Sequence, residues 1–174
     1  MRGESRPEDR LVVDLLRKRV VARNVQVITG DVRTLPSDRP FDRVLVDAPC
    51  SGTGTLARNP EIKWKLKPED LADLPARQQS ILEAAMRHVA IGGRLIYSTC
   101  SLEREEDESV VEQALRNVPS FRLVQGGATL QAMQKQGQLI ATDVQPLVFG
   151  PYIRTIPGIS PCDGFFIAIL ERIA

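Results

Sequence analysis

Two cysteines in this sequence each follow a short apolar run. Cys50 stands in Asp47-Ala48-Pro49-Cys50-Ser51-Gly52-Thr53-Gly54, directly after Val44-Leu45-Val46; Cys100 stands in Ser98-Thr99-Cys100-Ser101, after Leu95-Ile96-Tyr97. A thiol is a nucleophile only as thiolate, a form favoured by nearby cations, a helix N-terminus or a base. Cys100 precedes a stretch expected to be helical, whose N-terminal dipole would favour the thiolate. Cys50 lies in a loop whose glycines let a ligand approach the backbone closely. Asp47 is placed to accept a hydrogen bond from an amino group or, if protonated, to donate one. Taken singly, each residue also has a plain structural reading. A cysteine after a strand is usually a small buried hydrophobe, Pro-Cys-Ser-Gly is a tight turn, and Asp31 is a helix cap or turn former. Cys162, in Ser-Pro-Cys-Asp-Gly, is read as structural, and His88 as a surface or partly buried residue within a helix.

Chain length and composition narrow the setting. A chain of 174 residues suits one domain with a sizeable core. Three widely spaced cysteines form neither a disulfide framework nor a CxxC metal pattern, and the single histidine leaves no metal-ligand set. Free thiols of this kind suit a reducing cytoplasm. Met1 to Arg10 carries no apolar h-region, and no apolar run is long enough to span a membrane. The net charge of +1 leaves the case for a polyanionic partner to local clusters. Arg58 to Lys67, with Arg58, Lys63, Lys65 and Lys67, is such a cluster.

The thiols need elements to hold them. Apolar periodicity predicts a helix over Arg10–Val21, a strand over Val25–Ile28 stopped by Thr29-Gly30-Asp31, and a strand over Arg43–Val46. A helix capped by Asp70 or Asp73 runs to about Val89 and ends at Gly92-Gly93. A strand follows over Arg94–Thr99, then a helix opened by the acidic residues of Leu102–Glu108 and running to Asn117. A short strand is expected over Phe121–Val124. Gly126 to Pro161 reads as irregular, with a short helix near Leu130–Gln136, and a final strand runs over Gly164–Leu170. Alternating strands and helices indicate an α/β fold with a largely parallel sheet. In such sheets ligands bind beyond the carboxyl ends of the strands. Asp31, Asp47, Cys50 and Cys100 all fall there.

Four motifs in order carry a resemblance. They are Asp47 to Gly54; Arg58-Asn59-Pro60-Glu61-Ile62-Lys63-Trp64; Gly92-Gly93 leading through Tyr97-Ser98-Thr99-Cys100-Ser101 to Glu105-Glu106; and Asp163-Gly164-Phe165-Phe166. Together they resemble the RNA cytosine-5 methyltransferase family, which includes bacterial ribosomal-RNA methylases of the RsmB type and eukaryotic NSUN enzymes. The resemblance runs from about Val25 to the C-terminus. It implies a Rossmann-like sheet dependent on S-adenosylmethionine, with residues 1–174 forming part of a methyltransferase catalytic domain. It further implies that Cys100 adds to carbon 6 of cytosine and that Cys50 assists release of the methylated product. Asp47 would contact the base and lie beside the cofactor, and Asp31 would lie near the cofactor's adenine. Lys63 would steady RNA or the base, and Arg58 would contact phosphate. Lys63 reads equally as a solvated lysine. Ribosomal RNA is the expected partner ahead of transfer RNA, in the cytoplasm, with neither membrane nor metal involved.

The chain departs from the family at its front. Members carry a glycine-rich cofactor loop after a first, central strand, and this sequence has no such loop; its only early glycine is Gly3. The expectation is therefore a truncated domain, with a preceding segment missing and sheet edges exposed. Two other readings stand beside the enzyme. One is a non-catalytic RNA-binding module derived from such an enzyme. The other is a thiol enzyme acting on small molecules, for which no histidine near either cysteine completes a catalytic set.

Overall fold

The computed structural model describes residues 28–36, 39–141 and 143–174. The chain divides into two units, residues 1–36 and 37–174. In the first, the predicted helix Arg10–Val21 and the strand residues Val25 to Val27 lie outside the described residues. Ile28 is exposed and outside any strand. Asp31 caps a short 3-10 turn, Val32–Thr34; its carboxylate accepts hydrogen bonds from the Arg33 backbone N–H and guanidinium, both at 2.9 Å.

The second unit is built on a sheet. Its strands are β1 (Phe41–Asp47), β2 (Val89–Thr99), β3 (Phe121–Val124), β4 (Val148–Phe149), β5 (Tyr152–Thr155) and β6 (Phe165–Arg172). Their order is β1-β2-β6-β5-β4, with β3 also paired to β6. Its helices are α1 (Ile62–Lys65), α2 (Pro68–Met86), α3 (Glu108–Asn117) and α4 (Gly126–Lys135). The largely parallel sheet expected from sequence holds only for β1 and β2. Among the described strands every other pairing is antiparallel. The departure comes from the region after Asn117, where two hairpin-like returns replace helical crossovers. The short helix expected near Leu130–Gln136 is present as α4 and begins earlier, at Gly126, while residues expected to be irregular form β4 and β5.

Burial follows the pleat. Along β2, Leu95, Tyr97 and Thr99 are fully buried, and on β6 so are Phe166, Ala168 and Leu170. Successive side chains of a strand face opposite ways, so these six form one face. Helices α2 and α3 pack against each other on the chain that flanks β2, contributing Leu82, Met86 and Val111 to the core. A second apolar cluster, Leu130, Val144, Ile153 and Ile169, seats α4 on β5 and β6. Two boundaries differ from the sequence reading. Helix α2 stops at Met86, because Phe41 N–H captures the His88 carbonyl at 2.7 Å and starts β2 at Val89. Gly92-Gly93 then sits inside β2, where the register against β1 jumps from Phe41–Val89 to Arg43–Arg94. His88, read as a surface or partly buried residue, is 8 % exposed.

Candidate active site

Parallel pairing of β1 and β2 brings the two cysteine loops together. The register ends at Asp47 opposite Ser98, and the Ala48 N–H donates to the Ser98 carbonyl at 2.9 Å. Cys50 is three residues beyond the end of β1, and Cys100 is one residue beyond β2. Their sulfurs lie 3.3 Å apart, each half-buried. Three of the four residues expected at this sheet end, Asp47, Cys50 and Cys100, are thus gathered there. Asp31 belongs to the other unit and is engaged with Arg33. Asp47 is exposed, and the Ser98 hydroxyl donates to its Oδ1 at 3.4 Å.

The loops are joined along their length. Gly52 takes φ = +75°, a conformation that favours glycine, and turns the chain into a short 3-10 segment, Thr53–Thr55. Gly54 N–H donates to the Cys100 carbonyl at 2.9 Å, and Gly164 N–H donates to the Gly54 carbonyl at 2.8 Å. A Cβ on Gly54 would stand 2.4 Å from the Gly164 oxygen, so only glycine fits. Leu102 N–H donates to Thr53 Oγ1 at 2.9 Å. The Asp163-Gly164 step that opens β6 is therefore the floor on which the Cys50 loop rests. Arg58 forms an ion pair with Asp163 across the same floor, its Nε donating at 2.7 Å.

Beneath the thiols lies a polar core. Glu106 is fully buried. Its Oε2 accepts from Ser51 N–H at 2.8 Å and from Gln78 Nε2 at 2.7 Å, and its Oε1 accepts from the Ser101 hydroxyl at 2.9 Å. Gln78, also fully buried, donates from the same nitrogen to the Pro49 carbonyl at 2.8 Å. A second fully buried carboxylate, Asp107, accepts from the Thr99 hydroxyl and from Arg154, each at 2.6 Å. Burial raises the Asp107 carboxyl to about 7, against the lowering pull of Thr99 and Arg154. Nothing in the sequence separated Gln78 from its neighbour Gln79, or Glu106 from Glu105. The one available signal was that the third motif ends at the pair Glu105-Glu106.

Burial, then the hydrogen bond to Cys100 and that sulfur's charge, push the Cys50 thiol up to about 12. Cys50 is accordingly held as the neutral thiol at ordinary pH. The expected helix dipole at Cys100 is corrected: α3 begins at Glu108, after a run of turns, and a helix dipole fades within its first turn. Cys100 is placed by β2, not activated by α3.

Beside Cys50 opens a cleft of about 550 Å³, lined among others by Ser51, Ile62, Lys65, Leu66 and Arg77. Lys63 is exposed on α1 and Arg58 is exposed near the paired Asp163; neither lines the cleft. Trp64, between Lys63 and Lys65, is 88 % exposed. Among the described residues no group of three or more His, Cys, Asp or Glu could hold a metal ion, and no helix is long and apolar enough to cross a membrane.

Comparison with known proteins gives this geometry its relatives. A family model described as 16S rRNA methyltransferase RsmB/F matches residues 5–171. The ribosomal RNA small subunit methyltransferase B of Erwinia tasmaniensis is 35% identical over 170 residues, covering 92% of this chain and 35% of that protein. That of Vibrio cholerae is 36% identical over 151 residues, covering 84% and 30%. The chain thus spans about a third of the length of these curated relatives. Among solved structures, PH0851 superposes with a TM-score of 0.78 at 29% identity, over 97% of this chain and 35% of that one. NSun6 from Pyrococcus horikoshii with SFG gives 0.74 at 26% identity, over 98% and 40%.

Proposed function

This chain belongs to the RsmB/F family of 16S rRNA methyltransferases, and on that premise we propose that it carries the two-thiol half of a site that methylates carbon 5 of cytosine in ribosomal RNA. The observation that carries the proposal is the 3.3 Å separation of the Cys50 and Cys100 sulfurs at the ends of adjacent parallel strands. Carbon 5 of cytosine is too electron-poor to take a methyl group unaided. Addition of the Cys100 thiolate forms a sulfur–carbon 6 bond and moves the ring's double-bond electrons onto carbon 5. S-adenosylmethionine, when bound, supplies the methyl group that carbon 5 takes. Loss of the carbon 5 proton to a base then restores the double bond and expels the Cys100 sulfur.

Cys50 stands where that last step needs help. Burial and the neighbouring Cys100 sulfur hold Cys50 as the neutral thiol in the free protein. Once Cys100 is bound to carbon, its hydrogen bond to Cys50 and its charge no longer oppose ionisation of Cys50. Cys50 is therefore more readily deprotonated in the covalent complex than in the free protein, and its thiolate is then available to take the carbon 5 proton. Asp47, exposed beside Ser98 at the sheet end, is in the position to bind the base and one edge of the cofactor. Asp47 is a polar acceptor open to solvent, which fits a group carrying amines and hydroxyls. The cations of residues 58–67 face RNA phosphates, and Trp64 offers a ring for stacking a neighbouring base. Extruding the target base costs a few kcal/mol, which such contacts offset. The setting proposed is the cytoplasm.

Covalent trapping tests the assignment. The chain is joined to the preceding segment of a curated relative and incubated with RNA and S-adenosylmethionine. The Cys50→Ala variant should accumulate a protein–RNA adduct stable to denaturation, and Cys100→Ala should form none. An adduct that survives in Cys100→Ala, or is absent from Cys50→Ala, would remove the proposed roles.

A further inference from the structure

We propose that Glu106 is a positioning residue that sets the spacing of the two thiols. The proposal rests on the two-thiol reading for its catalytic meaning, but its geometry stands on its own. Ser51 immediately follows Cys50, and Ser101 immediately follows Cys100. The Glu106 carboxylate binds both: Oε2 accepts the Ser51 backbone N–H at 2.8 Å, and Oε1 accepts the Ser101 hydroxyl at 2.9 Å. One planar, rigid group thereby bridges the residue after each cysteine. The Ser51 and Ser101 hydroxyls close the gap between the loops at 3.2 Å.

The bridge is itself held. Gln78, from the middle of α2, donates to Glu106 Oε2 at 2.7 Å and to the Pro49 carbonyl at 2.8 Å. It thus grips the residue before Cys50 directly and the residue after it through Glu106. The Tyr97 hydroxyl donates to the Glu106 backbone carbonyl at 2.7 Å, tying the clamp to the centre of β2. Glu106, Gln78, Tyr97 and Ser101 are all fully buried. A buried carboxylate is tolerated only when donors surround it, and here the donors come from the two thiol loops and α2. Glu106 touches neither sulfur. It acts by fixing the backbone on which both are carried, and a displacement of about 1 Å at a reacting group can cost about a hundredfold in rate.

Thiol oxidation reads the spacing without substrate. In the full chain carrying Cys162→Ser, diamide takes two hydrogens from Cys50 and Cys100, its N=N bond is reduced to a hydrazine, and the sulfurs join as a disulfide. Peptide mapping follows the rate. Glu106→Ala should slow disulfide formation by about tenfold or more. Glu106→Gln should stay near the parent rate, because its oxygen still accepts from Ser51 and Gln78 while its NH2 donates to a Ser101 hydroxyl turned to accept. A merely structural role would not produce this rescue. A folded Glu106→Ala that oxidises at the parent rate overturns the proposal, as does a Glu106→Gln as slow as Glu106→Ala. If circular dichroism shows Glu106→Ala unfolded, Ser101→Ala and Gln78→Leu take its place: slowed oxidation in both supports the clamp, and parent rates in either overturn it. Absence of an RNA adduct in Cys50→Ala would remove the methyl-transfer reading and leave the oxidation result untouched.

Discussion

Two thiols 3.3 Å apart cannot both ionise cheaply, and the surroundings of Cys50 hold its proton in place. Burial is the largest influence on Cys50 and raises it to about 12. The sign is that of an acid whose charged form is penalised, so Cys50 stays protonated at neutral pH and becomes reactive only in alkali. Iodoacetamide labelling of the full chain, with Cys50 quantified by peptide mapping, should remain slow through about pH 8 and climb above about pH 10. Labelling that reaches its plateau below pH 9 would show that burial does not govern this thiol. The residue scale also separates the expected site residues by surroundings. Asp47, Cys50 and Cys100 share one sheet end. Lys63 and Arg58 are surface cations, and Asp31 caps a turn.

At the scale of elements, the short helix α1 is the piece whose shape asks for a partner. It is one turn long, its Ile62 and Lys65 line the cleft at Cys50, and its Trp64 projects into solvent at 88 % exposure. Lys63 and Lys65 neighbour Trp64 in sequence, so the segment combines an aromatic ring with positive charge, the pairing that single-stranded nucleic acid uses. Trp64 is the chain's one tryptophan, so its fluorescence reports on this face alone. Single-stranded RNA should quench it. Trp64→Ala should weaken RNA binding by about 1–3 kcal/mol, roughly five- to 150-fold. Unquenched fluorescence at saturating RNA would place the RNA elsewhere. Strand β6 shows the converse case of an element explained by its neighbours. It is expected as a strong apolar strand and is one, and Gly164, the residue just before it, makes the close contact with Gly54.

For the molecule as a whole, the net charge of +1 makes any affinity for RNA a local property. Arg58 is already paired with Asp163, so Lys63, Lys65 and Lys67 are the cations of this segment expected to meet phosphate. Three phosphate contacts on a single strand predict a slope of about −2 in log affinity against log salt. Replacing the three lysines by alanine should bring the slope close to zero. A slope unchanged by the triple substitution would assign the electrostatic face to other residues. The polar clamp under the thiols belongs to this scale too, because it draws on β2, α2 and the two loops at once.

The class of fold, most of the elements and the meeting of Cys50 with Cys100 at one sheet end were legible in the amino-acid sequence. Those follow from local signals: apolar runs of strand length, breakers at their ends, and four motifs in a fixed order. It also marked Asp47 and the basic segment around Lys63. The tertiary structure alone decided what surrounds them. The mostly antiparallel half of the sheet, the start of α3 at Glu108 and the burial of His88 depend on which backbone groups find partners across the chain. Glu106 and Gln78 read as two more polar residues in a charged helix-forming background. Only when β1 and β2 pair in parallel do Ser51 and Ser101 arrive at one carboxylate. A residue whose role is to join two distant loops has no local periodicity to announce it.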